Sequence, residues 1–307
     1  MRDTSVITEE HPAVLAWRQV DAEARTPTGV EPLKVTRYSA AYRLVGTGVV
    51  AKRAPRETAL LERTIYEQIL PTLSVSSLRV HGFLEDESEF CWLFLEDSGG
   101  VEASLDKNVA HRVSAARWFA QLHVAALHVA GCQLPPRDAR HYLDELRGAI
   151  AAIIAGFNNP ALRDSDRAML DNLLVECHRL DSRWDDVSDR CVNLPMTLVH
   201  NDLQQKNIHV RNVDGSPSIC VLDWEYSGWG IPAADIAALD LQTYEAIAGS
   251  IWGDIGGLAC VGMVFRSVSA ISWASTELEH ASLERGLRNL RFYPAAVRSA
   301  LTGLGLD

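Results

Sequence analysis

The stretch 197–225, TLVHNDLQQKNIHVRNVDGSPSICVLDWE, constrains the fold more than any other part of the chain. A short apolar strand leads into a polar loop, and a β-hairpin that turns at Asp214-Gly215 follows directly. Such a strand, loop and hairpin would bring together a loop carboxylate at Asp202, a loop amide at Asn207 and a strand-end carboxylate at Asp223. The sequence therefore outlines a polar site.

Two carboxylates and an amide are suited to phosphoryl transfer. That reaction needs hard oxygen ligands for magnesium and a carboxylate that takes the proton of an acceptor hydroxyl. The alternative is an ordinary hairpin, in which Asp and Asn form turns and Asp223 caps a strand end.

Three motifs carry a resemblance to a known family: HNDLQQKN at 200–207, DWE at 223–225 and GIPAADIA at 230–237. They resemble the catalytic and metal-binding segments of the aminoglycoside phosphotransferase and choline-kinase-like group of protein-kinase-like enzymes. The resemblance implies that Asp202 is the catalytic base and that Asn207 and Asp223 are Mg²⁺ ligands. It also implies ATP or GTP as the phosphoryl donor.

Length and composition fit a two-lobed protein. The chain has 307 residues, of which 47% are apolar, enough for more than one small core. The net charge of -11 argues against a nucleic-acid partner, because phosphate backbones are bound through excess Lys and Arg. An acidic surface can attract a cationic small molecule, although the charge also serves solubility alone.

Several signals of location are missing from the sequence. No run of about eighteen apolar residues predicts a membrane span, and the N-terminus has no apolar segment typical of a secretory signal. The six cysteines have no CxxC spacing and lie mostly among apolar neighbours. We interpret them as reduced core residues and expect a cytoplasmic protein without a membrane partner.

The first third of the chain predicts a leading helix, a sheet and one further helix. Thr8 and Pro12 indicate a helix over 8–24. Alternating strand patterns follow, and a helical stripe over 57–70 lies between the third and fourth of them. The predicted strands are LKVTRY from residue 33, YRLVG from 42, VVAKRA from 49, LRVHGFLE from 78 and FCWLFLED from 90.

Lys52 is unusual because it lies among apolar residues of the third predicted strand, where a buried ammonium needs a partner. The simple alternative is a lysine whose ammonium reaches solvent. In the family the third-strand lysine contacts the α- and β-phosphates and is oriented by a glutamate on the next helix. ERTIY at 62–66 resembles the E-x-x-x-Y form of that helix, which favours Glu62; Glu57 and Glu67 remain alternatives.

The loop RYSAAY at 37–42 contains no glycine, so it lacks the usual means of bringing backbone N–H groups close to phosphates. It resembles an S-x-x-x-Y loop of the family, which implies Ser39 as a phosphate contact. The apolar strand ending in LEDSGG at 95–100 indicates a lobe boundary. By resemblance this is the hinge, where backbone groups of Leu95 and Asp97 would bind the purine.

The remaining chain predicts helices over 108–130, 140–156, 160–182, 240–275 and 282–303. We interpret His123 as a structural histidine of the first of these. One or two residues of an acidic and aromatic set are expected to contact the acceptor: Asp240, Glu245, Asp254, Glu277, Glu279, Trp229, Trp252 and Trp273.

The predicted fold class is α+β, a bilobal protein-kinase-like fold with a mainly β N-lobe over 1–95, a hinge over 96–100 and a mainly helical C-lobe over 101–307. The predicted activity is Mg²⁺-dependent phosphoryl transfer from ATP or GTP to a hydroxyl of a small molecule. An antibiotic such as an aminoglycoside is the first candidate acceptor. Two alternatives stay open: a metabolite kinase for choline, a sugar or a related alcohol, and an inactive nucleotide-binding pseudokinase.

Overall fold

A computed structural model describes residues 10–20, 23, 25–36, 38–86, 89–129, 133–213, 215–279 and 283–306. The chain divides into two compact units. Unit 1 comprises Met1–Trp118, Val129–Cys132 and Gln204–Tyr226. Unit 2 comprises Phe119–His128, Gln133–Leu203 and Ser227–Asp307. The lobe boundaries expected from the sequence, at 95 and 100, stay a prediction.

The strands are β1 (Gly29–Val35), β2 (Ala40–Val45), β3 (Val49–Pro55), β4 (Val80–Glu85), β5 (Phe90–Glu96), β6 (Val101–Glu102), β7 (Pro136–Arg137), β8 (Thr197–Val199), β9 (Ile208–Val213), β10 (Ser216–Val221) and β11 (Gly228–Gly230). The α-helices are α1 (Pro12–Val20), α2 (Arg56–Thr64), α3 (Val109–Ala126), α4 (Ala139–Gly156), α5 (Asp164–Ser182), α6 (Trp184–Asp189), α7 (Ala233–Ile236), α8 (Leu241–Ala248), α9 (Ile255–Ser275), α10 (Leu283–Leu290) and α11 (Tyr293–Gly303).

Unit 1 is built on an antiparallel sheet of strand order β1-β2-β3-β5-β4. The turn between β2 and β3 contains Gly46 and Gly48, whose φ angles of 84° and 76° suit glycine. Helix α2 follows β3 and continues as a π-helical turn over Ile65–Ile69. A second, three-stranded sheet of order β10-β9-β6 contains the hairpin expected from the sequence.

Two boundaries in unit 1 differ from the sequence expectation. Strand β1 begins at Gly29, four residues before the predicted start, because residues 29–32 pair with β2. Pro32 is tolerated there because β1 is an edge strand. The leading helix begins at Pro12; Thr8, where the predicted helix begins, lies outside the described residues.

Unit 2 is mainly helical, and its longest helix, α9, packs most extensively against α4, α7, α10 and α11. By length and composition alone α9 could cross a membrane, but 56% of its most apolar window is buried. Its packing among four helices explains the apolar composition. The cysteines at 91, 177, 191, 220 and 260 are free thiols; Cys132 lies outside the described residues.

Three predicted helices of unit 2 have different limits. The segment 240–275 forms two helices, because Gly249 and Gly253 adopt φ angles of 59° and 66° and break the chain between them. Helix α5 begins at Asp164 instead of 160, where the Asp166 carboxylate accepts the N–H of Arg163 at 3.2 Å. The segment 282–303 is divided into α10 and α11, and residue 282 lies outside the described part.

Gly262 makes α9 sensitive to a single methyl group. A Cβ at this position would collide with the backbone carbonyl of Ala233 in α7. We expect Gly262→Ala to lower the free energy of unfolding by about 1–3 kcal/mol through overpacking. Urea denaturation monitored by circular dichroism measures the change.

Gly148 in α4 is the matched control, because nothing lies within 4 Å of a Cβ built there. Gly148→Ala should raise the free energy of unfolding by about 0.5–1 kcal/mol through helix propensity. A Gly262→Ala protein as stable as Gly148→Ala would contradict the close approach of α7 to α9.

Candidate active site

Lys52, Glu62 and Asp223 form an ion-paired triad within unit 1. Lys52 lies on β3 between the buried Ala51 and Ala54, and its side chain is 13% exposed. Its Nζ donates to Glu62 Oε1 of α2 at 2.7 Å and to Asp223 Oδ1 just beyond β10. The structure thereby brings together three of the residues selected from the sequence.

Burial and neighbouring charges have opposite effects on the pKa values of this triad. Burial lowers the pKa of the Lys52 ammonium, but the nearby carboxylates of Glu62 and Asp223 outweigh burial and raise the pKa above its ordinary value. Burial raises the pKa of the Glu62 carboxyl, and Lys52 partly offsets that effect. The lysine therefore stays charged at neutral pH.

The structure distinguishes between the three glutamates considered as partners of Lys52. Glu62 is 1% exposed and contacts the ammonium. Glu67 accepts instead from Arg63 Nε at 2.8 Å on the same helix, and Glu57 lies exposed in the first turn of α2. The contact agrees with the choice of Glu62; its role toward a nucleotide stays a prediction.

The hairpin β9–β10 places Asn207 beside Asp223. Ile208 pairs with Val221, and the N–H of Leu222 donates to the carbonyl of Asn207 at 2.8 Å. Asp223 adopts a left-handed φ of 66°, a conformation that is costly for a residue with a side chain and recurs at functional sites.

The next residue, Trp224, anchors this strand end. It is fully buried and makes ring contacts with Tyr66 and Trp118. The Tyr66 hydroxyl donates to the carbonyl of Val221 at 3.4 Å. Packing on one side and the hairpin on the other therefore hold the strained Asp223 in place.

The donor set of Asp223 and Asn207 fits Mg²⁺, which usually binds through one or two carboxylates together with substrate phosphates. Mg²⁺ is seldom bound in a cage made only of protein side chains. Among the described residues no cluster of three or more His, Cys, Asp or Glu side chains is arranged for a metal.

One positively charged side chain near Asp223, that of Lys34, was not selected from the sequence. Lys34 on β1 places its Nζ 3.5 Å from Asp223 Oδ2. Its side chain is 46% exposed, so the sequence pattern gave no reason to separate it from an ordinary surface lysine.

In unit 2, Asp235 holds the loop that contains Asp202. Its Oδ2 accepts the N–H of His200 at 2.7 Å, and its Oδ1 accepts the N–H of Asn201 at 2.9 Å. Asn201 has a left-handed φ of 65°, and Tyr142 donates its hydroxyl to the Asn201 side-chain oxygen at 3.0 Å. Two charge-assisted bonds from one carboxylate thus fix the residues immediately before Asp202.

Asp235 is itself fully buried in a polar cluster. His123 Nε2 lies 3.3 Å from Asp235 Oδ2, and His123 Nδ1 lies 2.8 Å from the hydroxyl of Tyr244. Burial acts to raise the pKa of Asp235, but His123 and the N–H of His200 outweigh it and lower the pKa. His123 has the structural contacts expected of it, while the anchoring role of Asp235 was not predicted from the sequence.

The other predicted nucleotide contacts have partners within unit 1. The N–H of Ser39 donates to Thr36 Oγ1 at 2.9 Å. The N–H of Asp97 donates to the carbonyl of Gly48 at 2.7 Å, and its carboxylate accepts from Arg43 Nε. Leu95 pairs with strands on both sides. Their roles in phosphate or purine binding stay predictions.

Half of the candidate acceptor residues have clear structural roles. Asp240 and Asp254 cap α8 and α9 through backbone N–H groups. Glu277 pairs with Arg285, and the buried Trp252 donates to the carbonyl of Pro195 at 2.8 Å. The remaining candidates are Glu245, Glu279, Trp229 and Trp273.

The chain matches a known enzyme family over most of its length. The model of the phosphotransferase enzyme family (APH) matches residues 29–274. Over 84 residues the chain is 37% identical to viomycin phosphotransferase of Streptomyces vinaceus, a match that covers 27% of this chain and 29% of that protein.

Solved structures are similar over most of the chain. APH(2")-IIIa in complex with GDP and kanamycin aligns with a TM-score of 0.68 at 14% identity, over 92% of this chain and 97% of that chain. Choline kinase from Cryptosporidium parvum Iowa II aligns with a TM-score of 0.62 at 12% identity, over 90% of each chain. These likenesses confirm the predicted α+β, protein-kinase-like fold class.

Replacing Asp235 with Asn tests the anchor of the loop. The change keeps the shape of the side chain and removes its charge, so His200 and Asn201 lose a charged acceptor. We expect the free energy of unfolding to fall by about 3 kcal/mol at neutral pH. Because the folded-state pKa of Asp235 is depressed, its contribution is fully present above the unfolded-state pKa of about 4 and disappears as pH falls through the lower folded-state pKa.

Urea unfolding curves should therefore show a constant gap between wild type and Asp235→Asn from about pH 8 to pH 5, closing only below about pH 4. Asp254→Asn is the control, because Asn caps a helix as well as Asp does. A gap that already closes between pH 7 and pH 5 would contradict the depressed pKa.

Proposed function

Because the chain belongs to the phosphotransferase enzyme family, we propose that it transfers the γ-phosphoryl group of ATP or GTP to a hydroxyl of a small molecule. An antibiotic is the first candidate acceptor. The family match confirms the predicted enzyme class, a phosphotransferase. The observation that carries the proposal is the triad in which Lys52 is ion-paired with Glu62 and Asp223. It joins β3, the following helix α2 and the chain just after β10 at one charged point.

Each of the selected residues has a proposed role. The ammonium of Lys52, oriented by Glu62, binds donor phosphates. Asp223 and the amide of Asn207 would hold Mg²⁺, which when bound neutralises charge on the phosphate groups. Asp202, on a loop fixed through Asp235, orients the acceptor hydroxyl and accepts its proton.

The acceptor class rests on relatives and on charge. Viomycin phosphotransferase is a sequence relative over 84 residues, and APH(2")-IIIa, solved with kanamycin, is a structural one. A net charge of -11 favours a cationic acceptor. We therefore place an aminoglycoside or another cationic antibiotic first among acceptors.

One other function has specific support. The likeness to choline kinase favours a metabolite kinase for an alcohol such as choline. A pseudokinase is disfavoured, because the base candidate Asp202, the metal candidate Asp223 and Lys52 are all present and the last two are ion-paired. We propose a cytoplasmic location and no nucleic-acid or membrane partner, in keeping with the sequence.

Mass spectrometry of a mixed acceptor panel tests the function. Wild-type protein is incubated with Mg²⁺, either ATP or GTP, and kanamycin, viomycin, choline and simple sugars. We expect one antibiotic to gain a single phosphoryl group, and the nucleotide that supports the gain identifies the donor. Phosphorylation of choline or a sugar alone would favour the metabolite kinase.

Asp202→Asn is the matched control for this experiment. It keeps the side-chain shape but cannot accept the proton, so product formation should fall by about 10²–10⁴-fold while nucleotide affinity is retained. Equal product yield from the variant would refute the role of Asp202 as the base. Nucleotide binding without any product would favour the pseudokinase alternative.

A further inference from the structure

We propose that Lys34 is a second phosphate-binding lysine of the nucleotide site and contacts the terminal phosphate of the donor. The inference rests on the proposed function and adds a residue that the sequence motifs do not contain. It arises from the contacts of Asp223 and from the register of the N-terminal sheet.

Asp223 lies between two ammonium groups. Lys52 Nζ contacts its Oδ1, and Lys34 Nζ lies 3.5 Å from its Oδ2. The two lysines come from different strands, β3 and β1, and each approaches a different oxygen of the same carboxylate. A ligand phosphate that is bound next to Asp223 therefore meets positive charge from both strands.

The strand register puts both lysines on one face of the sheet. Lys34 pairs with Ala41 on β2, and Ala41 pairs with Lys52 on β3. Residues directly opposite each other on neighbouring strands point to the same face. The methyl group of Ala41 is the only side chain in that row between the two lysines, so no bulky side chain of β2 keeps them from reaching the same carboxylate.

A β-bulge sets this register. The pairing of β1 with β2 shifts between Pro32 and Lys34, so Leu33 is an extra residue without its own partner on β2. An extra residue of this kind reverses the alternation of side chains beyond it and re-aims them. Without the bulge, Lys34 would not lie opposite Ala41.

The hydrogen bonds within the turn after β1 explain why a side chain is needed to contact a phosphate. The N–H groups of Tyr38 and Ser39 both donate to Thr36 Oγ1, at 3.2 and 2.9 Å. The N–H of Thr36 donates to the carbonyl of Ser39 at 2.8 Å. These backbone donors are satisfied within the turn, whereas a glycine-rich loop would direct such groups at phosphates. A flexible lysine ammonium supplies charge in their place.

The phosphate assigned to Lys34 is the one that remains after Lys52. The family resemblance assigns the α- and β-phosphates to Lys52. Lys34 lies two strands closer to the edge of the sheet and on the other oxygen of Asp223. It is therefore placed for the remaining terminal phosphate, and its loss should affect a nucleoside triphosphate more than a diphosphate.

Titration calorimetry with Mg²⁺ tests the inference on Lys34→Ala, using ATP with ADP and GTP with GDP. For the pair that wild type binds, we expect the dissociation constant of the triphosphate to rise about tenfold and that of the diphosphate less than about threefold. Lys34→Arg should recover most of the triphosphate affinity because it keeps the charge. The thermal unfolding midpoint should stay within about 1 °C of wild type for this half-exposed residue.

Lys107→Ala, an exposed lysine of unit 1 in a turn, is the control for a general loss of charge. Unchanged triphosphate affinity in Lys34→Ala overturns the inference, as does an equal loss for triphosphate and diphosphate or an equal loss in Lys107→Ala. Each of these results leaves the proposed function intact, because wild type still binds nucleotide. If wild type binds neither nucleotide pair, the proposed function fails and the inference fails with it.

Discussion

The ion pairing of Lys52 is the constraint on which the proposed nucleotide site in unit 1 depends. An ammonium on an inner strand of the sheet, 13% exposed, costs several kcal/mol unless carboxylates compensate for lost water. Glu62 comes from the helix after the strand, and Asp223 comes from a hairpin 171 residues further along the chain. The Lys52 ammonium thus links three parts of unit 1, because it needs both carboxylates to compensate for the lost water.

A second buried charge organises unit 2 in the same way. Asp235 is fully buried and accepts two backbone N–H groups from the residues just before Asp202, while His123 and Tyr244 extend the network on its other side. In each unit a buried charge fixes the local backbone, and beside it lies a carboxylate that we propose as functional: Asp223 in one unit and Asp202 in the other. Asp223 has a left-handed φ, and so does Asn201, the residue before Asp202, so local strain lies at or next to the residues we propose as functional.

Much of this was readable from the sequence, for identifiable reasons. Strand alternation, the hairpin turn and the spacing of the loop motifs depend on local chemistry, so the sheet, Lys52, Asn207 and Asp223 could be selected in advance. Glu62 could be favoured over Glu57 and Glu67 only by resemblance, because all three lie on one helix. Lys34 was missed because a β-bulge and a register two strands away decide where it points, and neither leaves a signature in the sequence. Helix breaks at Gly249 and Gly253 were missed because isolated glycines also occur inside helices.

Calorimetry of nucleotide binding to Asp223→Ala, with and without Mg²⁺, tests the central claim most directly. Asp86→Ala, which removes another ion-paired carboxylate of unit 1, is the control. If the triad of Lys52, Glu62 and Asp223 forms the phosphate and metal site, wild type and the control bind nucleotide more tightly with Mg²⁺, and Asp223→Ala loses that increase. An Asp223→Ala protein that keeps the full Mg²⁺ dependence would show that the metal is held elsewhere and that the triad is a structural ion pair only.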